Sequence, residues 1–352
     1  LETKNHNDSI TRSFWQYCKD VFEKNDVIKP DFNVEECESY FKNNHQQSAE
    51  NRSFIYPLWM KQLSQPQSVF DLEKPSYQKI TSIINNIKSN GSPCPFDHIS
   101  VIVLKRCPIM RTVMHKVISY SWSNKIFPKT WKNAFTILIY KKGSNTNPSN
   151  FRPITLQPVL AKIYSSLIRN RIYQFLYSNN YIESKIQKGF WKGLSGTIEH
   201  TELLSYIINH ARNKQRESVV TLLDLKNAFG EVDHELLLKV LEFHHIPEEI
   251  KILVKNYYEN YHISVGTESF ITNPIPIKKG VLQGDCLSPI LFNMVVNTLI
   301  RSIDEERIRC IGYSFSSTLN PRHWFQFADD SALVTSTEKD NQLLLNVFTK
   351  WC

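Results

Sequence analysis

Two stretches of this 352-residue sequence decide its fold: VVTLLD at residues 219–224 and WFQFADDSALV at residues 324–334. The first is a continuous apolar run that ends in Asp224, which predicts a buried strand with a carboxylate at its end. The second has aromatic and β-branched residues on both sides of Asp329 and Asp330, which predicts a hairpin with both aspartates at its turn. Two neighbouring strand ends would then carry three carboxylates.

Carboxylates at neighbouring strand ends can hold two hard divalent cations, which activate a hydroxyl nucleophile and stabilise a leaving pyrophosphate. Magnesium prefers such oxygen ligands and takes few of them from the protein. Each signal alone has a plainer interpretation, because an aspartate after a strand often caps a helix and an Asp-Asp pair often forms a turn. The prediction of a two-metal site rests on their combination.

The rest of the chain mixes helical periodicity with short strand patterns, which predicts an α+β fold. A helix at residues 159–177 is expected to show a basic face made of Lys162, Arg169 and Arg171. Further helices are predicted at residues 76–88, 101–126, 198–213, 234–243, 247–257, 288–304 and 338–351, with an amphipathic helix around residues 14–18. Strands are predicted at residues 134–140 and 219–223, and hairpins at residues 263–277 and 324–334.

The positive charge is concentrated in one part of the chain. The formal net charge is +8, yet residues 105–192 contain 16 Lys or Arg and a single acid, Glu183. Residues 1–50 carry 6 basic and 10 acidic side chains. Phosphate neutralisation is the usual reason to concentrate cations, so residues 105–192 are predicted to contact nucleic acid. An anionic membrane is the alternative, but no amphipathic polybasic helix stands out.

Cysteine spacing and hydropathy indicate an intracellular setting. The seven cysteines are an odd number in a long chain, which argues against a disulfide framework. They include no C-x-x-C pair, so their spacing predicts no zinc site. No signal peptide and no apolar run of about 18 residues is visible, so no membrane association is expected. The first residue is Leu1, which suggests a piece of a longer polyprotein.

Six ordered stretches resemble the motifs of reverse transcriptases from non-LTR (LINE-like) retrotransposons, and the resemblance covers residues 70–352. They are WKNA with KKG (131–134, 141–143), NFRPI (150–154), QKGFWKG with SGT (187–193, 195–197), VTLLDLKNAF (220–229), GVLQGDCLSPILF (280–292) and FADD (327–330).

The resemblance implies an RNA-directed DNA polymerase that joins dNTPs to the 3′-hydroxyl of a DNA primer on an RNA template. It implies two Mg²⁺ ions, with Mn²⁺ as a substitute. Asp224, Asp329 and Asp330 would be the catalytic carboxylates. Asp224 and Asp329 would bind the metal ions, Asp330 would be a weaker or outer ligand, and the Leu225 carbonyl would be a further ligand.

The resemblance also implies contacts to the incoming nucleotide. Arg152 and either Lys141 or Lys142 would grip the triphosphate, and the sequence does not decide between the two lysines. Phe229 would exclude a ribose 2′-hydroxyl, although a core aromatic is the plainer interpretation. Gln283 and Gly284 would line the nucleotide and template pocket, with an ordinary loop as the alternative.

The implied architecture is a right-hand polymerase. Fingers at residues 76–215 and a palm at residues 216–352, with an antiparallel sheet backed by helices, would follow a helical or irregular extension at residues 1–75. The thumb and the next motif would lie beyond Cys352. Insertion into a genome would need nuclear access, but no localisation signal is visible.

The sequence departs from the family pattern at several places. Gly230 stands where many relatives have aspartate, Trp191 replaces a common arginine, and the usual glycine-proline-aspartate-glycine run is altered in residues 91–99.

Two rival functions remain. A decayed element fragment that only binds nucleic acid is suggested by Gly230 and by the end of the chain at Cys352. An RNA-dependent RNA polymerase is disfavoured by Phe229 and by Ala328, because that family has a ribose-accepting site and a glycine at these positions.

Overall fold

The computed structural model describes residues 28–46, 54–56, 60–89, 91, 93–97, 99–191, 196–302, 311–316 and 321–352. The helix predicted around residues 14–18 lies outside them. Within these ranges the chain mixes helices and strands, as predicted. The helices are α1 Val34–His45, α2 Tyr77–Asn86, α3 Val101–Arg106, α4 Pro108–Ser123, α5 Val159–Ser178, α6 Thr197–Asn213, α7 His234–Phe243, α8 Glu248–Tyr258, α9 Ser288–Ser302 and α10 Glu338–Trp351. The strands are β1 Asn133–Tyr140, β2 Phe151–Leu156, β3 Val219–Leu223, β4 His262–Gly266, β5 Ile275–Pro276, β6 Trp324–Phe327 and β7 Asp330–Thr335.

A three-stranded antiparallel sheet has the strand order β3-β7-β6. Helix α6 covers one face, where Ile207 packs with Val334 and Phe325. Helices α9 and α10 cover the other face, where Leu299 of α9 and Leu344 of α10 pack against apolar side chains of the sheet. The sheet therefore lies between helical layers.

A four-stranded sheet has the order β2-β1-β4-β5. Strand β1 pairs antiparallel with β2 and parallel with β4, with Asn133 opposite His262. The hairpin predicted at residues 263–277 is confirmed by the antiparallel pairing of β4 and β5. The parallel pairing of β4 with β1 was not predicted. The resemblance implies a boundary between fingers and palm at residue 215, and this pairing joins a strand before that boundary to a strand after it.

Most predicted helices are confirmed, but the one at residues 101–126 is two helices. The chain is extended at Cys107, and α4 begins at Pro108. Proline lacks an amide hydrogen and its ring clashes with the preceding turn, so it starts a helix more readily than it continues one.

The predicted burial of β3 is wrong in part. Leu222 is 77% exposed, and the other residues of the strand are only half-buried. A continuous apolar run predicts coverage on both faces. Here the covering helix α6 contacts the Val220 end of the strand and leaves the Asp224 end open.

Arg171 does not belong to a basic face of α5. Its guanidinium is buried 4.1 Å from the centre of the Trp122 ring, and it donates a hydrogen bond to the Asp71 carbonyl. The arginine thus anchors the segment before α2, as buried cations need partners. Lys162 and Arg169 remain partly exposed on the helix.

Among the described residues, no helix is both long enough and apolar enough to cross a membrane.

Candidate active site

The three predicted carboxylates meet at one end of the three-stranded sheet. Leu223, the last residue of β3, pairs with Ser331 of β7, so Asp224 follows the strand end that adjoins Asp330. Asp329 occupies the turn between β6 and β7, and Asp330 is the first residue of β7. The strand register therefore puts the three residues at the same end of the sheet, as the sequence pattern predicts.

The pKa of the Asp329 carboxyl reflects burial and the charges around it. Burial raises the pKa of the Asp329 carboxyl, and the negative charges of Asp330 and Asp224 raise it further. The positive charge of Lys141 acts in the opposite direction and lowers it. Like charges that share a site disfavour each other's ionised form, so the pair repulsion is what a bound cation would relieve.

The donor set fits a hard divalent cation in chemical type, because it consists of carboxylate oxygens. Among the described residues, however, no group of three or more His, Cys, Asp or Glu side chains is arranged so that it could hold a metal ion. Magnesium itself needs few protein ligands, because it completes its shell with phosphate oxygens and water. Leu225 directly follows Asp224, where its carbonyl could serve as a further oxygen donor.

The predicted triphosphate-binding cations lie on the β1–β2 hairpin. Lys141 follows β1, and its amide donates to the Asn150 carbonyl at 2.8 Å. Arg152 lies in β2 opposite Ile139 and is exposed, as are Lys141 and Lys142. The positive charge of Lys141 lowers the pKa of the Asp329 carboxyl, which favours Lys141 over Lys142 as the cation nearer the carboxylates.

Phe229 is half-buried between two other aromatic rings. It stacks on Phe292 of α9, with ring centroids 4.4 Å apart and an angle of 13° between the ring planes. Phe190 contacts it edge-on at 6.0 Å. The core interpretation thus holds for one face of the ring, while the residue's partial exposure leaves room for a second role.

Gln283 and Gly284 dock the loop before α9 onto β2. The Thr155 amide donates to the Gln283 carbonyl at 2.7 Å. Gly284 has φ +99°, and a Cβ at this position would lie 2.6 Å from the Thr155 carbonyl oxygen. The Gln283 Oε1 atom is buried and lacks a hydrogen-bond partner among the described residues. Such an acceptor is costly to leave unpaired, so it is available to a ligand donor.

Two residues near the site were missed from the sequence. Asp285 is buried, and its carboxylate accepts hydrogen bonds from the Leu287 and Ser288 amides, which caps α9. From the sequence, Ser288 with Pro289 after it is the more obvious start of this helix, whereas the structure uses the carboxylate of Asp285. Gln187 contacts Ala328 in the turn, and no local pattern indicates a partner 141 residues away.

The chain is similar in sequence to known proteins. A family model described as reverse transcriptase (RNA-dependent DNA polymerase) matches residues 139–352. The chain is 25% identical over 311 residues to a retrovirus-related Pol polyprotein from the type-2 retrotransposable element R2DM of Drosophila melanogaster, covering 84% of this chain and 28% of that protein. It is 29% identical over 238 residues to the RNA-directed DNA polymerase from the mobile element jockey of the same species, covering 64% of this chain and 24% of that protein.

A third relative is a retrovirus-related Pol polyprotein from the type-1 retrotransposable element R2 of Nasonia vitripennis. It is 29% identical over 219 residues, covering 62% of this chain and 20% of that protein. The chain thus spans less than a third of the length of each of these relatives. The matched family model and the retrotransposon relatives, together with carboxylates gathered at the strand ends, lead to one conclusion: this chain belongs to the reverse transcriptase family, and its relatives are those of non-LTR retrotransposons.

Proposed function

We propose that this chain catalyses RNA-templated DNA synthesis, in which the 3′-hydroxyl of a DNA primer attacks the α-phosphate of a dNTP and pyrophosphate leaves. The observation that carries the proposal is the strand register that puts Asp224, Asp329 and Asp330 at one end of the three-stranded sheet. The exposed cations Lys141, Lys142 and Arg152 lie on the β1–β2 hairpin. Carboxylates for cations on one side and a cation for phosphate on the other are what phosphoryl transfer needs.

Asp224, Asp329 and the Leu225 carbonyl would hold two Mg²⁺ ions, with Asp330 as a weaker ligand and Mn²⁺ as a substitute. When bound, these ions would lower the pKa of the attacking hydroxyl and offset charge on the phosphates. Ionised carboxylates are the form that binds cations, and a nearby cation favours ionisation of a carboxyl. A bound cation would therefore oppose the burial and the like charges that raise the pKa of Asp329.

The nucleotide would lie between the β1–β2 hairpin and the loop before α9. Lys141 rather than Lys142 would contact the triphosphate, because its charge acts on Asp329. Arg152, exposed on the neighbouring strand, would add a planar bidentate donor. Gln283 and Gly284 would line the pocket, with the buried Gln283 Oε1 accepting a hydrogen bond from nucleotide or template.

Phe229 would select deoxynucleotides. Its ring is held by stacking on Phe292 and is therefore unable to swing away from a 2′-hydroxyl at low cost. In the implied right-hand architecture, residues 76–215 would form fingers and residues 216–352 a palm. The basic residues between 105 and 192 would contact the RNA template and the primer.

The test is magnesium-dependent primer extension on an RNA template, with Asp224→Asn and Asp329→Asn beside the unchanged chain. Each substitution removes a carboxylate charge at nearly constant volume, and we expect incorporation to fall by roughly a thousandfold or more. Asp31→Asn, an exposed aspartate near the start of the described chain, is the matched control and should keep full activity.

The outcomes separate the rival functions. Incorporation that survives both substitutions would show that these carboxylates do not form the catalytic site. A chain that binds template and primer but incorporates nothing would favour the fragment that only binds nucleic acid.

A second assay compares dNTP with rNTP incorporation. Phe229→Val shortens the side chain, so discrimination against ribonucleotides should fall by about tenfold or more. Equal use of both nucleotides by the unchanged chain would favour the RNA polymerase interpretation.

A further inference from the structure

The buried side chain of Gln187 forms hydrogen bonds with the backbone of Ala328, the residue directly before Asp329. Its Oε1 atom accepts hydrogen bonds from the Ala328 amide at 2.9 Å and from the Gly189 amide at 2.8 Å. Its Nε2 atom donates to the Ala328 carbonyl at 3.1 Å. One side-chain amide thus satisfies both main-chain polar groups of Ala328, much as a neighbouring strand would.

Ala328 has a conformation that needs such support. Its φ of +54° lies in the left-handed region, which residues other than glycine enter reluctantly. Gln326 adds a second donor, because its Nε2 atom lies 2.7 Å from the Ala328 carbonyl. The turn is therefore held in an uncommon backbone conformation by buried side-chain amides.

The segment around Gln187 is itself fixed against β6. The Lys188 amide donates to the Gln326 carbonyl at 2.9 Å, and the Gln326 amide donates to the Ile186 carbonyl at 3.1 Å. At Gly189 a Cβ would lie 2.3 Å from the Ala328 amide nitrogen. Residues 186–189 thus form a rigid backing against which the Asp329 turn is pressed.

We infer that Gln187 is a positioning residue that fixes the Asp329–Asp330 turn through Ala328. This inference rests on the proposed function, in which those two aspartates act on the reacting groups. Gln187 itself contacts Ala328 and Gly189, and it acts on the carboxylates through the backbone. A carboxylate displaced by about 1 Å can cost around a hundredfold in rate, so the geometry of this turn bears directly on turnover.

The test uses Gln187→Met, which keeps the length of the side chain and removes all three hydrogen bonds. Gly189→Ala is a second variant that presses on Ala328 from the backbone side without removing the amide. Asn179→Leu is the matched control, because the Asn179 side chain also accepts from two backbone amides, at residues 67 and 68, and donates to a backbone carbonyl, at residue 68. That backbone carries none of the site residues.

Two readouts are compared per folded molecule: primer-extension kinetics, and amide hydrogen exchange in residues 327–331. We expect kcat of Gln187→Met to fall between about tenfold and a hundredfold with KM for dNTP changed less than about threefold. Exchange in residues 327–331 should speed up by about tenfold in Gln187→Met and Gly189→Ala, and stay near that of the unchanged chain in Asn179→Leu.

The inference is overturned if exchange in residues 327–331 rises no more in Gln187→Met than in Asn179→Leu, or if kcat of the folded variant is unchanged. If the unchanged chain incorporates no nucleotide, the proposed function fails on its own. The exchange comparison then still decides whether Gln187 fixes the turn.

Discussion

Asp329 is a carboxylate of this site whose ionised form is disfavoured in the folded protein. Its pKa is raised first by burial and then by the charges of Asp330 and Asp224. A carboxyl whose pKa is higher in the folded than in the unfolded chain binds more protons when folded. Its contribution to stability is therefore present below the ordinary pKa of about 3.9 and is lost as pH rises through the raised value.

We therefore predict that Asp329→Asn stabilises the metal-free protein at neutral pH. The amide removes a disfavoured charge, and Tm at pH 7 should rise by about 1–2 °C, a small shift because a half-exposed group is screened by solvent. Thermal unfolding without divalent ions measures this, and the gain should shrink as pH falls toward 4. Asp31→Asn should show no gain. A lower Tm for Asp329→Asn at pH 7 would mean that the carboxylate is not repelled by its neighbours.

The residues of the site differ in how far the sequence could predict them. The meeting of Asp224, Asp329 and Asp330 was predictable, because strand ends and hairpin turns leave local patterns. The choice between Lys141 and Lys142 was not, since adjacent residues after a strand differ only in the direction of their side chains. The role of Gln187 was not predicted for a different reason: nothing near it in the sequence indicates that its side-chain amide contacts Ala328.

At the scale of elements, local sequence signals predicted the bounds of individual helices, but they did not predict which strands pair. Helix α7 has the predicted bounds His234–Phe243, with Asp233 as its cap, and α10 has the predicted bounds Glu338–Trp351. The parallel pairing of β1 with β4 was not predictable, because it joins segments more than 120 residues apart. The exposed Leu222 shows the same limit, since burial of a strand depends on which distant helix covers it.

The docking of the loop before α9 onto β2 gives a prediction for Gly284→Ala. Its φ of +99° is strained for any residue with a Cβ, and that Cβ would lie 2.6 Å from the Thr155 carbonyl oxygen. We expect the free energy of unfolding to fall by about 1–3 kcal/mol. Because the loop must shift away from β2, KM for dNTP should rise by about tenfold.

Chemical denaturation and primer-extension kinetics measure the two effects. Gly91→Ala is the matched control, because a Cβ there would meet only the Lys88 carbonyl oxygen at an ordinary 3.6 Å. If KM for Gly284→Ala equals that of the control, the loop does not line the nucleotide pocket.

At the scale of the whole molecule, the basic stretch at residues 105–192 spans both the β1–β2 hairpin and the helices around it. The burial and the ion pairs of each basic side chain in this stretch decide whether it can contact a phosphate backbone. Lys132 and Arg171 are buried, and Lys188 pairs with Glu199 at 2.7 Å. Most of the others that the structure describes are at least partly exposed, so a multivalent contact with template and primer is still expected.

Affinity for an RNA template with its DNA primer should therefore fall steeply with salt. Contact with about five phosphates gives a slope near −4 in a plot of log association constant against log salt concentration. The Asp224→Asn chain is suited to this titration, because it should bind without turnover. Lys162→Ala combined with Arg169→Ala, two partly exposed cations of α5, should make the slope shallower by about one to two units.

Lys255→Ala, an exposed cation of α8 outside the stretch, is the control and should leave the slope unchanged. A slope shallower than about −2 for the parent chain would mean that few of these cations touch phosphates. The concentration of charge would then need another cause. A steep slope that the α5 double variant reduces and the α8 variant does not would instead place the nucleic acid along the basic stretch, independently of whether the carboxylates turn over substrate.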